Sequence, residues 1–345
     1  MALAFHLTEY DRRFYEEKLA DFLPSEIVDC HSHVWTADHL LSEGSFEPSR
    51  SAVWASRVAE VSPVEDLLQS YRELFPNQSV TPVIFPGVET NMDSEKNNDY
   101  VRAVAASHGL PSLALTKPQA SADEFEALIS EGGFAGCKPY LNFAPAYIPR
   151  DEIRIYDFLP KSHLERLNAN RWVAMLHIAR PGRLGDPMNL AHLVEIDENY
   201  PDAKVIVTHI GRAYAHADVG AGMSVLSKTR NLLFDITANT NADVMRRLIE
   251  AVGPERIMFG SDLPIFAMRA HRVVENDQYV NIVPRGKYGD VSGETTMRET
   301  DTIDKLTLLI YEEIAAFAEA AALSGLSRAE VEAVFNGNAR RTFSI

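Results

Sequence analysis

The stretch Ile27-Val28-Asp29-Cys30-His31-Ser32-His33-Val34 is a short apolar run that ends in two histidines two positions apart. Side chains alternate between the two faces of a β-strand, so residues at i and i+2 share a face. A strand over residues 27–33 would therefore hold both imidazoles close enough to bind one metal ion. The spacing alone leaves open the alternative of a polar histidine pair that binds nothing.

Seven further short apolar runs follow, each preceded by a segment with helical periodicity. The predicted strands span residues 27–33, 80–88, 112–116, 134–141, 172–178, 204–210, 231–237 and 256–262. Alternating helices and apolar strands indicate an α/β fold with a parallel sheet, and eight units favour closure into a (β/α)8 TIM barrel. An open doubly wound sheet is the alternative, but no Gly-x-Gly-x-x-Gly turn follows the first strand to support its nucleotide-binding form.

Helices are predicted at both ends of the chain. One covers residues 9–22, ahead of the first strand, and two others cover residues 301–322 and 327–335. The last of these begins at Ser327, which with Glu330 forms a cap-like pattern. Because no linker interrupts the alternation, we predict one domain over residues 1–345, with the barrel strands at about 27–262 and the C-terminal helices at about 301–343.

Two long connections lack periodicity and leave directly from strand ends. Residues 35–62 follow the histidine pair and include Trp35 and Trp54, and residues 264–300 follow the eighth strand. Long loops in compact domains often form lids or binding walls, so we interpret residues 35–62 as a lid or substrate wall at the carboxyl rim of the barrel. A surface excursion is the alternative.

The overall charge and the cysteine content restrict the class of protein. A formal charge of −16 without a basic run opposes binding to nucleic acid or to an anionic membrane. Cys30 and Cys137, the two cysteines, lie in apolar strand-like runs, which argues against a disulfide scaffold. Residues 1–18 lack the cationic start and apolar core of a signal peptide. We therefore expect a cytoplasmic protein whose partner is a small molecule, and the apolar C-terminal helices leave a homo-oligomer open.

Polar residues stand at the carboxyl ends of several predicted strands, where barrel active sites form. They are His31, His33, Lys138, Tyr140, His177, His209 and Asp262. Each alone is more often structural, but four of the chain's eleven histidines and one aspartate at one rim indicate a metal site. Imidazole and carboxylate ligands suit Zn²⁺ first, with Mn²⁺, Fe²⁺ or Co²⁺ as alternatives, so we expect one divalent ion.

Four motifs in order along the chain resemble the amidohydrolase superfamily, and in particular its amidohydrolase-related branch. They are Asp29-Cys-His31-Ser-His33, Leu176-His177, Thr208-His209-Ile-Gly211 and Phe259-Gly-Ser-Asp262-Leu-Pro264. The ending Asn336-Gly-Asn-Ala-Arg-Arg-Thr-Phe343 is also similar to the C-terminus of that branch. The branch contains aminocarboxymuconate semialdehyde decarboxylase, resorcylate decarboxylases and several lactone hydrolases.

The resemblance implies a role for each matching residue. His31, His33, His177 and Asp262 would be ligands of one metal ion, and Asp262 would also accept a proton. His209 would orient or deprotonate the water that the metal activates. Lysine at the end of strand four bridges two metals in binuclear relatives, so Lys138 leaves a second ion open beside a substrate-facing or structural role.

The leading hypothesis is a metal-dependent hydrolase that opens a small carboxylated lactone, cyclic ester or amide with metal-activated water. Candidate substrate-binding residues are Lys138, Tyr140, Arg180, Arg212 and Trp35, because guanidinium groups recognise carboxylates bidentately and aromatic rings can form pocket walls. Arg183 stands nearby, and each arginine could instead brace a loop.

Two further functions remain open at this point. A non-oxidative decarboxylase of an aromatic or muconate-like acid would use the same site, with His209 as proton donor. It is weakened because the chain reads His209-Ile-Gly211-Arg212 where these decarboxylases show His-x-Gly-Gly. The other alternative is a barrel that binds a ligand without turning it over, or that serves as an assembly subunit. Within the leading hypothesis, the same residues could also bind and activate water without a metal ion.

Overall fold

Eight parallel strands form the centre of the fold. The computed structural model describes residues 3–42, 49–50 and 57–345. The strands are β1 Glu26–Val34, β2 Ser79–Pro86, β3 Ala114–Thr116, β4 Gly136–Pro139, β5 Val173–Leu176, β6 Lys204–Val207, β7 Leu233–Asp235 and β8 Ile257–Met258. Each predicted strand is present, and β1 pairs in parallel with β2 while β3 to β8 form one continuous parallel sheet.

Backbone hydrogen bonds close these two sheets into a (β/α)8 barrel. A parallel bridge between Ile84 and Ser112 joins β2 to the start of β3. On the other side, the Cys30 amide donates to the Phe259 carbonyl at 3.0 Å, and the Asp262 amide donates to the His31 carbonyl at 2.8 Å. These bonds continue the ladder from β8 to β1, so no strand of the barrel is left with an open edge.

The contact between β1 and the segment after β8 requires a glycine. A Cβ atom on Gly260 would lie 2.6 Å from His31 Cβ and 2.4 Å from Thr237 Oγ1. Real Cβ atoms do not approach other heavy atoms so closely, so Gly260 allows the two backbones to meet beside the histidine pair.

The apolar residues form an outer core between the strands and helices and a smaller inner core in the barrel. The inner core is filled by large side chains from several strands. Its members are Val28, Cys30, Val83, Phe85, Leu113, Val173, Met175, Ile206, Met258, Ala339 and Phe343. The last two come from the C-terminal helix and close the amino-terminal end of the barrel. The carboxyl end is thereby left for polar residues.

Helices surround the barrel as the alternating pattern predicts. The α-helices are Glu9–Phe14, Val64–Leu74, Ser94–His108, Ala122–Gly132, Ile155–Phe158, Lys161–Asn170, Pro187–Asn199, Gly222–Leu226, Ala242–Val252, Leu309–Ser324, Arg328–Glu332 and Asn338–Phe343. Single π-helical turns, Tyr15–Leu19 and Ala333–Gly337, continue the helices before them. Within the described residues, no helix combines the length and apolar character needed to span a bilayer.

Some helix boundaries differ from the prediction for local reasons. The segment before β6 has helical periodicity over residues 190–199, but its helix already starts at Pro187, because Asp186 caps it by accepting hydrogen bonds from the Met188 and Asn189 amides. The helix predicted from residue 301 starts only at Leu309, since residue 308 is still extended and pairs with Arg269. The cap at Ser327 is confirmed: its hydroxyl accepts from the Glu330 amide in a capping box.

The lack of periodicity in segment 264–300 predicted an irregular loop, but the segment contains regular strands. It contains β9 His271–Glu275, β10 Gln278–Pro284 and β11 Met297–Thr300, which form a three-stranded sheet in the order β11-β10-β9. The β9–β10 hairpin turns at Asn276 and Asp277, whose φ angles of 50° and 61° suit a two-residue turn. We call these three strands the cap sheet.

The segment 35–62 lies partly outside the described residues, including Trp54. Trp35 is buried, and its Nε1 donates to the Glu60 carbonyl at 2.9 Å. Arg50 donates to the Ala144 carbonyl at 3.1 Å, and Arg57 pairs with Glu294 at 3.1 Å. The described ends of this segment thus contact loops at the carboxyl rim. Whether the segment acts as a lid over the barrel stays a prediction.

Candidate active site

The histidine pair lies at the carboxyl end of β1, where a β-bulge re-aims the chain. Cys30 packs in the inner core, and strict alternation would point its neighbour His31 away from the barrel axis. The pairing with β2 shifts register between Asp29 and Ser32, and the His31 ring reaches Phe85 of the same inner core at 5.1 Å between centroids. Bulges commonly re-aim side chains at active sites. His33 lies 5.5 Å from His31 by ring centroids.

Hydrogen bonds fix which nitrogen of each histidine faces the centre of the barrel. His31 Nδ1 lies 2.9 Å from Asp235 Oδ2, and His33 Nδ1 lies 3.0 Å from the Pro86 carbonyl oxygen. Both partners only accept, so each Nδ1 carries the proton and donates. In the neutral imidazoles, each Nε2 therefore carries the lone pair that a metal ion would use, and Asp235 orients His31 from outside the centre.

Asp262 completes a set of three donors with these histidines. Its Oδ1 lies 3.3 Å from His33 Nε2 and 3.6 Å from His31 Nε2. Two ligands about 2.1 Å from a zinc ion at a tetrahedral angle lie ~3.4 Å apart, so the spacing of these atoms suits one shared ion. Burial alone would raise the pKa of Asp262, but its close contacts with His33 and the other imidazoles lower it below its ordinary value, which keeps the carboxylate ionised.

His209 lies beside this set on the loop after β6. Its backbone amide donates to Asp235 Oδ1 at 2.6 Å, and its Nδ1 lies 3.1 Å from the Thr237 carbonyl oxygen. That carbonyl makes Nδ1 the donor, so Nε2 of the neutral ring is free to accept a proton. Burial lowers the pKa of His209, which favours the neutral form. Its ring centroid is 5.0 Å from that of His31.

Asp235 also belongs to a second group of donors. Ligand atoms of His31, His209 and Asp235 lie within 4.8 Å of one another, as do those of His31, His33 and Asp262. Because the Asp235 oxygens already accept from His31 Nδ1 and from the His209 amide, we assign Asp235 to the support of the ligands.

His177 lines the same cavity but lies outside both groups of donors. Its ring centroid is 5.2 Å from that of His209 and 5.0 Å from that of Tyr140. Its Nδ1 is buried without a hydrogen-bond partner. Burial, followed by the Arg212 charge, lowers the pKa of His177 well below its ordinary value, so the ring is neutral. Its role as the third histidine ligand stays a prediction.

Lys138 is buried at the end of β4 and contacts the metal-site histidines directly. Its Nζ lies 3.1 Å from His31 Nε2 and 4.8 Å from the centre of the Phe85 ring. Burial lowers the pKa of Lys138 to about 8, partly against the charges of Asp235 and Asp262. The ammonium and a metal ion would compete for the same lone pair of His31. Binding of a metal ion there would therefore displace the Lys138 ammonium from His31 Nε2.

A cavity of about 690 Å³ opens above these residues, and every candidate substrate-binding residue lies in its wall. Trp35, Tyr140, Lys138, Arg180 and Arg212 all line it. Arg180 is less available to bind a substrate carboxylate than the sequence suggested. Its Nε lies 3.0 Å from both carboxylate oxygens of Asp186, which it already pairs with. Its carbonyl accepts from Arg212 Nη1 at 3.3 Å, so Arg180 also positions Arg212.

Strained backbone is concentrated around this cavity. Among the described non-glycine residues with left-handed φ, six line the cavity, namely Arg180, Arg183, His209, Arg212, Ala238 and Asp262. Such conformations cost on the order of 1–3 kcal/mol each and persist where the surrounding structure imposes them, as at functional sites. The fold therefore holds this set of side chains against a local conformational preference.

Four residues of the site were not predicted from the sequence: Asp235, Tyr214, Arg272 and Tyr279. Asp235 had a signal, since a carboxylate inside the apolar run Asn231-Leu-Leu-Phe-Asp-Ile-Thr237 must find a buried partner. Arg272 and Tyr279 belong to β9 and β10 of the cap sheet, which was not predicted. Tyr214 lies in a loop, and its position depends on contacts with those strands.

The support from Asp235 gives a testable prediction. Replacing Asp235 with asparagine should weaken metal binding about 10- to 100-fold, because an amide cannot accept equally from His31 Nδ1 and the His209 amide. Asp197→Asn is the control, since Asp197 is also buried but accepts from the Asn231 and Leu232 amides outside the metal site. Titration of both proteins with Zn²⁺ measures the difference. Equal metal affinities would contradict the assigned support.

Comparisons with known proteins agree with this architecture. A family model described as amidohydrolase matches residues 28–345. No curated protein matches the chain. Among solved structures, 5-carboxyvanillate decarboxylase from Sphingomonas paucimobilis superposes with a TM-score of 0.57 at 13% identity, covering 93% of this chain and 100% of the other.

Two further structures have similar overlap. A probable 2-pyrone-4,6-dicarboxylic acid hydrolase from Acinetobacter baumannii with bound citric acid gives a TM-score of 0.53 at 16% identity, covering 92% of this chain and 99% of the other. An amidohydrolase from Burkholderia multivorans with bound zinc gives 0.56 at 15% identity, with 92% and 99% covered. At these identities the likeness concerns the fold alone.

Proposed function

The chain belongs to the amidohydrolase family, and we propose that within it the protein is a metal-dependent hydrolase of a small carboxylated lactone, cyclic ester or amide. The observation that carries this proposal is that His31 Nε2 and His33 Nε2 both lie within 3.6 Å of Asp262 Oδ1, in an arginine-lined cavity. The zinc in one structural neighbour supports a divalent ion, without selecting zinc over manganese, iron or cobalt.

His31, His33 and Asp262 would hold the ion, with His177 as a further candidate ligand. A divalent ion bound there would supply Lewis-acid polarisation of the substrate carbonyl and would lower the pKa of a water molecule. The hydrogen bonds that His31 Nδ1 donates to Asp235 and His33 Nδ1 donates to the Pro86 carbonyl keep the two imidazoles oriented, so little reorganisation is needed on binding.

His209 and Asp262 are the candidates for proton transfer. When water attacks the carbonyl carbon, one proton must leave the water, and when the acyl C–O or C–N bond breaks, one proton must reach the departing oxygen or nitrogen. An ionised Asp262 carboxylate and an unprotonated His209 Nε2 can accept the first proton and return it. Both groups are bases in this arrangement, which favours hydrolysis over a reaction that begins with a protonated His209.

Arginines in the cavity supply the preference for a carboxylated substrate. Arg212 follows three residues after His209 and lines the cavity, so a substrate carboxylate bound to its guanidinium would lie near the reacting carbonyl. Tyr140 and Trp35, which also line the cavity, would limit the size of the molecule that fits.

The proposal is tested with a panel of carboxylated lactones, esters and amides and the matching aromatic carboxylic acids. Proton release at constant pH reports hydrolysis of the lactones and esters, chromatographic detection of the freed amine reports hydrolysis of the amides, and carbon dioxide capture reports decarboxylation. We expect proton release without carbon dioxide, and loss of activity with a chelator followed by recovery on adding Zn²⁺ or Mn²⁺. Carbon dioxide release would instead support the decarboxylase, and binding of panel members without turnover would support a ligand-binding barrel.

A further inference from the structure

Two arginines in the cavity have no carboxylate partner within the described part of the chain. The Arg212 guanidinium donates to the Arg180 carbonyl, and the Arg272 guanidinium donates to Asn281 Oδ1 at 2.8 Å and to the Ala238 carbonyl. Each guanidinium has five N–H donors, so these neutral acceptors leave donors unused on both. Neither guanidinium is therefore paired directly with a carboxylate of the described residues, and the charges of Glu312 and Glu313 act on Arg272 only without such a contact.

Aromatic rings surround these charges. Arg272 lies over the Tyr279 ring at 4.6 Å and the Tyr214 ring at 5.3 Å, and Arg183 lies 5.2 Å from the Tyr214 ring. Unlike the other two arginines, Arg183 is neutralised by Asp218 at 2.7 Å. We call Arg183, Arg212, Arg272, Tyr214 and Tyr279 the arginine–tyrosine wall.

The fold holds Arg272 rigidly in this wall. Arg272 on β9 pairs with Asn281 on β10, so its main acceptor comes from the neighbouring strand of the cap sheet. The Ala238 carbonyl that accepts from Arg272 belongs to a residue whose amide donates to the buried carboxyl of Glu313 at 2.8 Å. Only 8% of Arg272 is exposed, so its charge lies in a place where an unpaired ion is costly.

The wall shares the cavity with the candidate metal ligands. Arg212 lines this cavity together with His177 and Asp262. Arg272 and Tyr279 line the same cavity from the cap sheet. Burial lowers the pKa of both Arg212 and Arg272, but arginine remains protonated at neutral pH. A ligand held by the wall would thus have its other end at the metal site.

We propose that the arginine–tyrosine wall is a subsite for two carboxylates, so that the substrate is a dicarboxylic acid rather than a monocarboxylic one. This inference deepens the proposed function and rests on it for the reacting group. The two guanidiniums come from separate elements, the loop after β6 and strand β9, and each keeps unused N–H donors with which it would bind one carboxylate. A dianion of this kind would neutralise both charges.

The subsite is tested by binding, without turnover. Isophthalate carries two carboxylates and no lactone, ester or amide bond, and benzoate is the same ring with one carboxylate. We expect calorimetric titration of the metal-loaded protein to show at least ~10-fold tighter binding of isophthalate than of benzoate. Arg212→Gln and Arg272→Gln should each weaken isophthalate binding by about 10- to 100-fold and reduce its advantage over benzoate.

Arg298→Gln is the matched control, because Arg298 lies on β11 of the same sheet but pairs with Glu275 on an exposed face. It should bind isophthalate as the wild type does. Since Arg272 is buried and its replacement could disturb folding, the less constrained Arg212→Gln decides the result if Arg272→Gln does not fold.

Equal binding of isophthalate and benzoate, or unchanged binding by a folded Arg212→Gln variant, would overturn the subsite. Phenyl phosphate that binds as tightly as isophthalate would overturn the assignment to two carboxylates. Neither measurement depends on catalysis. The subsite can therefore fail while hydrolysis of a monocarboxylated compound stands, and tight isophthalate binding by a protein without hydrolase activity would refute the proposed function alone.

Discussion

The His33→Ala variant is expected to lose its divalent ion on dialysis and to lose activity on the order of 10³-fold or more. His33 Nε2 lies 3.3 Å from Asp262 Oδ1, and its Nδ1 is held by the Pro86 carbonyl, so alanine removes a ligand already oriented toward the ion. Asp262→Asn should have a similar effect, because the amide has the same shape but neither the charge of a ligand nor the basicity of a proton acceptor.

Elemental analysis of the purified proteins measures the effect directly, with about one equivalent of metal expected in the wild type. His163→Ala is the matched control. His163 is also a buried histidine, but it stacks on Phe125 at 4.1 Å between centroids and contacts the Ala120 carbonyl away from the cavity. The control should lose some stability and keep its metal.

The metal content also decides between the alternatives for Lys138. About two equivalents in the wild type would place Lys138 beside a second ion. Undiminished metal in both His33→Ala and Asp262→Asn would contradict the proposed ligand set. A wild type that takes up no metal after reconstitution would refute the metal-dependent mechanism, and the histidines would then be interpreted as substrate-binding groups.

The barrel could be predicted because its signal is local and repeated. Each apolar run of strand length follows a helical segment, and parallel strands buried on both faces read as continuous apolar runs. The ends of the strands were less predictable. The run 256–262 forms a regular strand only over Ile257–Met258, because Phe259 to Asp262 turn toward β1 and bond to its backbone. Such closure depends on a partner more than two hundred residues earlier.

The cap sheet was missed for a different physical reason. β9 is largely exposed, and the buried residues of β10 include the consecutive run Tyr279 to Asn281, so neither strand has the clean alternation of a sheet with one buried face. Its turn, Asn276-Asp277, has the chemistry of a two-residue hairpin, but the flanking residues His271, Arg272 and Glu275 obscured it. The Asn276-Asp277 pair indicates a hairpin even though the periodicity of the residues on both sides is weak.

In the candidate site, too, the features that follow from local sequence could be predicted, and those that depend on contacts distant in sequence could not. The residues at the strand ends could be named from sequence because barrel topology brings all carboxyl ends to one rim. The contact of His31 with Asp235 joins residues 204 positions apart, and the stacking of Arg272 on Tyr279 depends on the cap sheet. Their functional roles arise from tertiary contacts that no short motif contains.

The buried ion pair between Asp11 and Arg269 supports the second large prediction. Arg269 Nη2 lies 2.6 Å from Asp11 Oδ2, and its Nη1 lies 3.0 Å from Oδ1. Asp11 is fully buried, and Arg269 also donates to the carbonyls of His6 and Leu306. This pair joins the N-terminal segment to the chain just before the cap sheet, so it stabilises the region that presents Arg272 to the cavity.

Asp11→Ala is expected to lower the free energy of unfolding by about 3–5 kcal/mol, because it leaves the Arg269 guanidinium buried without a counter-ion. Arg269→Met in the same chain should recover part of this loss, since an apolar side chain needs no partner. Arg285→Ala is the control: Arg285 pairs with Asp301 on the surface, where such pairs contribute about 1 kcal/mol or less. Urea denaturation followed by circular dichroism measures all four proteins.

The pH dependence of stability provides an independent check on the same pair. Burial alone would raise the pKa of Asp11, but hydrogen bonds from Arg269, Thr8 and Thr307 lower it below its ordinary value. Because the folded-state pKa is the lower one, the contribution of Asp11 is present above the unfolded-state value of ~3.9 and is lost as the pH falls through the folded-state value. The stability difference between wild type and Asp11→Ala should therefore be constant from neutral pH to about pH 5 and shrink only under stronger acid. A difference that already disappears between pH 7 and pH 5 would show that another group, and not the Asp11 carboxylate, stabilises this junction.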